Sequence, residues 1–387
     1  MLEVFLVALR LGLTSFGGPV AHLGYFREEY VARRKWLDEA TYADLVALCQ
    51  FLPGPASSQV GMAIGILRAG IPGAVVAWVG FTLPSAIALV IFAYGLAAFS
   101  TADAAWLHGL KVCAVAVVAQ AVWGMARSLA PDRTRATLAI GVAIAALTWH
   151  GALAQVVMIA AAGLIGWRVV AIGATADGQA PALRVGRGVA VAALVIFFAL
   201  LVLLPIAVEI DDARWLGVAD SFYRAGSLVF GGGHVVLPLL HAEVVEPGWV
   251  SNAAFVAGYG AAQAVPGPLF TFAAYLGAVM QQPPNGIAGA TLALVTIFLP
   301  AFLLVVGTLP FWNALRANRQ MRAALAGVNA GVVGLLLAAL YTPVWTSAIE
   351  TPPDVALALA AFAALAFWKV PPWAVVVATA VAAALVG

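Results

Sequence analysis

Charged residues are scarce in this chain of 387 residues. Only 9% of the positions are Asp, Glu, Lys or Arg, whereas 64% are hydrophobic. A water-soluble domain needs far more charged surface, so the composition excludes a soluble globular chain. Runs of about 20 apolar residues, which match the roughly 30 Å hydrocarbon core of a bilayer, recur along the sequence. We therefore expect a polytopic membrane protein whose solvent is membrane lipid.

Several motifs of binding and catalysis are also missing. The two cysteines, Cys49 and Cys113, lie far apart and form no CxxC or metal-binding spacing. The five histidines show no HExxH pattern, and no P-loop for a nucleotide phosphate is present. Basic residues are dispersed, which leaves no patch for nucleic acid. We expect no cofactor, no metal ion, no nucleic-acid partner and no ATP-driven step.

The chain contains an internal repeat. Residues 10–18 (RLGLTSFGG) recur as 224–232 (RAGSLVFGG), with the same step from arginine to phenylalanine. Further matches follow in the same order: Trp36 with Trp249, Gln50 to Pro55 with Gln263 to Pro268, Gly73 with Gly289, and Pro84 with Pro300. The duplication predicts an N-terminal repeat (1–170), a cytoplasmic loop with a linker helix (171–212) and a C-terminal repeat (213–387).

Lys and Arg mark the cytoplasmic side of a membrane protein, and their distribution differs between matching segments of the two repeats. Residues 27–35 (REEYVARRK) are strongly basic, whereas the matching segment 241–252 contains no Lys or Arg. Residues 99–105 contain no basic residue, but the matching segment 313–322 contains three arginines. This reversal predicts repeats of inverted topology, a cytoplasmic N-terminus and a periplasmic C-terminus.

The predicted fold class is an all-α polytopic membrane protein with two inverted repeats and re-entrant or broken helices. Gly and Pro motifs interrupt apolar stretches whose limbs of about 10–14 residues are too short to span, which gives four helical hairpins. Small-residue runs such as 356–366 could pack helices within one chain or between the copies of a homodimer. Roughly nine full crossings are expected, near residues 72–98, 106–127, 136–149, 152–167, 188–208, 287–310, 322–341, 354–367 and 371–386.

The glycine and proline motifs are the candidate substrate site. Inverted-repeat transporters bind substrate near the midplane, where half-helix ends converge, and a helix N-terminus with exposed N–H groups stabilises an anion. Alternatively, these Gly and Pro residues only kink or closely pack membrane helices. The candidate residues are Phe16, Gly17, Gly18, Gln50, Pro53, Gly54, Pro55, Ser57, Ser58, Gly231, Gly232, Gln263, Pro266, Gly267, Pro268 and Thr271.

Three basic residues, Arg10, Lys111 and Arg224, fall at membrane depth. A charge at this depth is costly and usually faces a cavity or a partner, so all three are candidates to balance the charge of an anionic substrate. The alternative is that each side chain snorkels to a nearby membrane surface, which its position permits. His22 and His234 are further residues that could line the path.

Three segments carry a resemblance to a known family: RLGLTSFGGPVAHLGYF (10–26), LCQFLPGPASSQVGMAIG (48–65) and FGGGHVVLPLL (230–240). They closely resemble the chromate ion transporter family in its long-chain, two-domain form, and the resemblance covers nearly the whole chain. It implies efflux of chromate across the bacterial inner membrane, chromate resistance, and sulfate as a similar competing oxyanion. The second tip reads GGG where the first reads GGP, so the first half is the stronger candidate for substrate contact.

The predicted function is secondary export of an oxyanion dianion. An exported dianion gains about 4.6 kcal/mol at a membrane potential of 100 mV, so no proton coupling is needed. Chromate, sulfate and membrane lipid are the expected partners. The alternatives are another oxyanion as substrate, an anion channel, and a membrane-embedded enzyme, which would need a nucleophile, metal site or acidic pair that the sequence does not display.

Overall fold

The computed structural model of the chain contains helices and no strands in the part it describes, which is residues 1–99, 105–149, 151–170, 185–230, 233–312, 315 and 318–386. Within that part, six helices are long and apolar enough to cross a membrane. In one of them, Arg187–Ile210, only 17% of the most apolar window is buried inside the protein, so most of its surface is left for lipid. The protein is a multi-pass membrane protein.

The first half begins with four helices that contain or flank the predicted breaks. They are Leu2–Thr14 (α1), Gly18–Phe26 (α2), Glu39–Phe51 (α3) and Ala56–Phe99 (α4). A π-helical segment, Arg27–Arg33, extends α2. The remaining helices of this half are Ala105–Leu129 (α5), Arg133–Thr148 (α6) and Ala152–Val169 (α7).

The linker helix Arg187–Ile210 (α8) leads into the second half. Its broken helices are Arg214–Leu228 (α9), Val236–Leu240 (α10), Asn252–Ala262 (α11) and Phe272–Val279 (α12), followed by the long helix Gly286–Thr308 (α13). A π-helical segment, His241–Val245, extends α10, and a 3-10 turn, Leu269–Thr271, precedes α12. The last helices are Arg319–Ala339 (α14), Pro352–Ala366 (α15) and Pro372–Val386 (α16).

All four predicted interruptions separate helices in the structure. Between α1 and α2 lies Gly17, whose φ of 96° is left-handed. Between α3 and α4 lie residues 53–55, where proline lacks the N–H that a continuous helix requires. The matching breaks separate α9 from α10 and α11 from α12. A further break inside α4, at Ala69 and Gly70, is not part of the sequence prediction.

The two halves build the same order of elements. In each half a π-helical segment follows the first tip, and a polar side chain caps the next helix. Asp38 Oδ1 accepts the Thr41 N–H at 2.7 Å, and its repeat counterpart Ser251 Oγ accepts the Ala254 N–H at 3.2 Å. The hydrogen bond from Thr41 lowers the pKa of the Asp38 carboxyl. The matching caps support a duplicated architecture.

The first helix of each repeat crosses the long helix of the same repeat at a glycine. A Cβ atom at Gly12 would lie 2.6 Å from the Phe81 carbonyl oxygen, and one at Gly226 would lie 2.2 Å from the Ile297 carbonyl oxygen. Both distances are far below contact distance, so only glycine permits these crossings. Phe81 and Ile297 occupy equivalent positions, each three residues before the matched proline. The first helix of each repeat therefore packs closely against its long helix at the same position.

One sequence prediction differs from the structure. The segment 27–35, expected as a loop, stays helical to residue 33, where Arg33 pairs with Glu29 one turn earlier. Helices of 16, 15 and 15 residues lie at the expected crossings 136–149, 354–367 and 371–386. They are about 22–24 Å long, which is less than a bilayer core, so that they cross the membrane stays a prediction. Residues 171–184 of the predicted linker lie outside the described residues.

Candidate functional site

The broken helices of the two repeats meet and exchange backbone hydrogen bonds. The Gly54 N–H, in the first Pro-Gly-Pro motif, donates to the Val229 carbonyl oxygen at the end of α9 (N to O distance 2.6 Å). The Gly267 N–H, in the second motif, donates to the Ser15 carbonyl oxygen at the end of α1 (2.9 Å). Ser15 and Val229 each precede the phenylalanine of a tip, so the exchange is reciprocal. Such contacts are expected of halves related by an approximate two-fold axis.

The central glycines of the Pro-Gly-Pro motifs are required by the backbone. The φ angle is 118° at Gly54 and 97° at Gly267, which other residues adopt only with strain. Both N–H groups are used across the repeats and are therefore not free for an anion in this conformation. The sequence predicts these amides as substrate ligands, whereas in the structure they join the two repeats.

The first tip faces the second repeat. Phe16 is half-buried, and its ring centroid lies 6.4 Å from that of Trp373 on α16. Gly17 is exposed, and a Cβ atom at Gly18 would lie 3.9 Å from His234 Nε2, just before α10. The corresponding glycines of the second tip, 231 and 232, lie outside the described residues. The first tip thus lies next to the segment that follows the second tip.

Polar side chains are buried where α4 restarts. Ser57 and Ser58, both predicted, are each 2% exposed. The predicted Gln50 instead lies exposed near the end of α3, and Gln263 is half-buried. The buried amide is Gln59, which is 0% exposed and donates from Nε2 to the Pro53 carbonyl oxygen at 2.7 Å. Gln59 is an amide inside an apolar helical run, and this pattern in the sequence could have indicated that its side chain is buried.

A histidine on α2 joins this group of polar side chains. His22 is 1% exposed, and its Nδ1 lies 3.2 Å from Ser57 Oγ. The edge-on contact of its ring with Phe81, at a centroid distance of 5.5 Å, orients the imidazole. In the second repeat, Thr271 is also buried, but its hydroxyl donates to the Pro268 carbonyl oxygen at 2.8 Å. The two repeats are therefore unequal in polar groups.

Arg10 lies beside a buried carboxylate. Its Nη1 is 3.8 Å from Glu29 Oε2, and 55% of the Arg10 side chain is exposed. Arg33 and Arg34 contact the same carboxylate at 2.9 Å and 2.6 Å, and Arg34 also pairs with Glu3 at 3.0 Å. With three guanidinium groups and two carboxylates, the Arg10 cluster has one positive charge in excess.

Arg224 contacts two buried carboxylates. Its Nη2 lies 2.5 Å from Asp220 Oδ2, and its Nε lies 2.9 Å from Glu243 Oε1. The exposed fraction of the side chain is 30% for Arg224, 9% for Asp220 and 7% for Glu243. When all three groups are ionised, the Arg224 cluster has one negative charge in excess. With those groups ionised, the two arginine clusters have opposite signs.

The arginine clusters follow the repeat. Glu29 and Glu243 each stand 19 residues after the arginine, and each lies in the π-helical segment of its repeat. Segments of π-helix are rare and frequently occur at functional sites. The sequence repeat aligns Arg10 with Arg224. The equal spacing from each arginine to a glutamate is the pattern that could have indicated these ion pairs.

Lys111 lies where α5 packs against α11. It is half-buried in α5, next to the point where that helix crosses α11. A Cβ atom at Gly260 would lie 2.4 Å from the Leu110 carbonyl oxygen, so the crossing is close. The second Pro-Gly-Pro motif, residues 266–268, follows α11 in the chain. Arg10 and Arg224, in contrast, are held in separate clusters.

The described residues include two cysteines and no group of metal-ligand side chains. Among the described residues, no three His, Cys, Asp or Glu side chains converge as metal ligands would. Cys49 and Cys113 are free and buried, which agrees with a packing role. The polar chemistry of the site therefore comes from hydroxyl, amide, imidazole, carboxylate and guanidinium groups.

Paired broken helices that meet between two related halves are typical of a secondary membrane transporter. The chain belongs to the chromate transporter family, whose sequence profile matches residues 2–167 and 216–385. It is accordingly a transporter and not an enzyme.

Curated relatives match the chain over most of its length. The chromate transport protein of Pseudomonas aeruginosa is 32% identical over 381 residues, which cover 95% of this chain and 87% of the relative. The chromate transport protein of Cupriavidus metallidurans is 28% identical over 95% of this chain and 88% of the relative. An uncharacterized transporter of Methanocaldococcus jannaschii is 25% identical over 87% of this chain and 83% of the relative. No solved structure matches the chain significantly.

Proposed function

We propose that this protein exports chromate from the bacterial cytoplasm across the inner membrane as a secondary transporter, with sulfate as a competing oxyanion. The observation that carries the proposal is the reciprocal pair of hydrogen bonds from Gly54 and Gly267 to the opposite repeat. Breaking one bond of the pair while keeping the other would open the site toward one side only. Rocking of the repeats would then alternate access, as in other transporters with inverted repeats.

The proposed topology places the N-terminus in the cytoplasm and the C-terminus in the periplasm. The six long helices and the three shorter ones supply the nine crossings, and the broken helices form the four re-entrant hairpins. In this orientation the Arg10 cluster lies toward the cytoplasm and the Arg224 cluster toward the periplasm. A dianion leaving the cell meets the positively charged cluster first and the negatively charged cluster last. The homodimer stays a prediction.

Membrane potential supplies enough free energy for export. Moving one charge through 100 mV is worth about 2.3 kcal/mol, so a dianion gains about 4.6 kcal/mol on leaving a cell with a negative interior. Uptake of the same dianion would require several co-transported cations. The direction of the potential thus favours export without an additional coupled ion.

Chromate accumulation in inverted membrane vesicles tests the proposed function. With an imposed membrane potential, we expect saturable accumulation that sulfate inhibits. Arg10→Ala should lower the initial rate at least about tenfold, since loss of one charged contact is worth roughly 1.4 kcal/mol or more. The matched control is Arg27→Ala, which removes a guanidinium that pairs with Glu39 outside the Arg10 cluster and should leave the rate close to wild type.

Three results would argue against parts of this function. Equal rates in Arg10→Ala and wild type would leave Arg10 as a surface residue. Flux that does not saturate would indicate an anion channel. If sulfate or another oxyanion were transported under the same potential and chromate were not, the proposed substrate would be wrong and the proposed mechanism would stand.

A further inference from the structure

The first turn of α4 buries polar groups that the fold itself does not satisfy. Ser58 Oγ and Gln59 Oε1 have no hydrogen-bond partner within the described parts of the chain. Both residues are nearly inaccessible, at 2% and 0% exposure. A buried polar group without a partner costs about 1–3 kcal/mol, and satisfied or apolar groups would avoid that cost. The two unsatisfied groups lie directly after the first Pro-Gly-Pro break.

His22, whose ring contacts Ser57, has a further atom without a partner. Its Nε2 lacks a partner among the residues that the structure describes, while its Nδ1 lies 3.2 Å from Ser57 Oγ. In the neutral tautomer that has its proton on Nε2, the Ser57 hydroxyl donates to Nδ1 and the Nε2–H is a donor. In that tautomer the imidazole and the Ser58 hydroxyl are two neutral donors near the N-terminus of α4. That helix is long, with 13 residues from Ala56 to Arg68 before the break.

The second repeat does not reproduce these groups. Phe270, Thr271 and Phe272 occupy the positions of Ser57, Ser58 and Gln59, and all three are fully buried. The only hydroxyl among them, on Thr271, is already bonded to Pro268. The corresponding turn is therefore apolar and satisfied. An anion would find donors in the first repeat and none at the equivalent side chains of the second.

We propose that the first turn of α4, with Ser58 and His22 as donors, is the binding seat for an oxyanion, and that the equivalent turn of the second repeat is not. The inference rests on the proposed function and adds which repeat binds the dianion. The helix N-terminus contributes roughly half a positive charge, and the two neutral donors each offer one hydrogen bond to an oxygen. One dianion is bound per protein, and the second repeat acts as an apolar wall that moves against the seat.

Binding of chromate to the purified protein in detergent, measured by isothermal titration, tests the seat. Ser58→Ala should weaken binding at least about tenfold. Thr271→Val is the matched control, because it removes the equivalent hydroxyl of the second repeat, and it should change binding less than about twofold. His22→Leu should lose binding, whereas His22→Gln, which keeps an N–H donor near the Nε2 position, should recover part of it. The expected stoichiometry is one.

The outcomes separate the seat from the function. If the wild type transports chromate, and Ser58→Ala and His22→Leu bind chromate as tightly as the wild type, the seat is wrong and the proposed function stands. Equal losses in Ser58→Ala and Thr271→Val, or a stoichiometry of two, also overturn it. If His22→Leu unfolds, Ser58→Ala decides alone, since it removes a single oxygen. A wild-type protein that neither binds nor transports chromate or sulfate overturns the proposed function, and the seat with it.

Discussion

Arg224→Met is expected to destabilise the protein by about 3–5 kcal/mol, the cost of removing one partner from a buried ion pair. The change leaves Asp220 and Glu243 close together and almost fully buried, with no cation between them. Unfolding of the detergent-purified protein, followed by circular dichroism against temperature, should show a markedly lower midpoint than wild type. This is the largest stability effect that we expect from a single charged residue.

Two further variants test the electrostatic origin of that effect. Neutralising the whole cluster, with Arg224→Met, Asp220→Asn and Glu243→Gln together, should recover most of the loss, because no buried charge is then left unpaired. Arg214→Met is the matched control, since Arg214 begins the same helix but donates to the neutral amide of Gln282. If Arg224→Met unfolded at the wild-type temperature, the cluster would contribute nothing to the folded state.

Alanine at Gly54 or Gly267 is expected to abolish transport. Both glycines have left-handed φ angles, and such strain costs another residue about 1–3 kcal/mol. A Cβ atom at Gly54 would also lie 2.9 Å from Gln59 Nε2, and one at Gly267 would lie 2.8 Å from Ser85 Oγ. The loops would have to move, and the hydrogen bonds between the repeats would be lost. Chromate accumulation in vesicles, normalised to protein amount, measures the effect.

Gly24→Ala is the control for the alanine variants. Gly24 lies in α2 near the same tip, has an ordinary helical backbone, and has no atom within 4 Å of the position of an added Cβ. Its replacement should leave transport close to wild type. Normal transport in both Gly54→Ala and Gly267→Ala would mean that the reciprocal bonds are dispensable, and the proposed alternation between them would then be wrong.

Much of the architecture can be predicted from the sequence because local patterns determine it. Apolar runs predict membrane helices, and proline and left-handed glycine interrupt them wherever they fall, so the four breaks appear where expected. The repeat is visible because Arg10 and Arg224 stand at the same distance from a Phe-Gly-Gly tip. The break at Gly70 is less visible, because a single glycine in an apolar run is also compatible with a continuous helix.

The candidate site is only partly predictable. Ser57 and Ser58 follow a recognisable motif, and the structure buries both. Gln50 is expected at the site because it stands one turn before the first Pro-Gly-Pro motif, yet it is exposed, whereas Gln59 is buried. Which amide faces inward depends on the direction in which the chain leaves the break. That direction is a property of the tertiary packing and not of the spacing.

The sequence by itself determined that the chain is a membrane protein, that it contains a duplication with interrupted helices, and which family it resembles. These properties follow from composition and local motifs. Only the tertiary structure decided that Gly54 and Gly267 bond to the opposite repeat, that Glu29 and Glu243 pair with Arg10 and Arg224, and that His22 lies against Ser57 beside the first Pro-Gly-Pro break. Those contacts join residues that are distant in the chain. Their geometry depends on how the hairpins pack against each other, which no local pattern specifies.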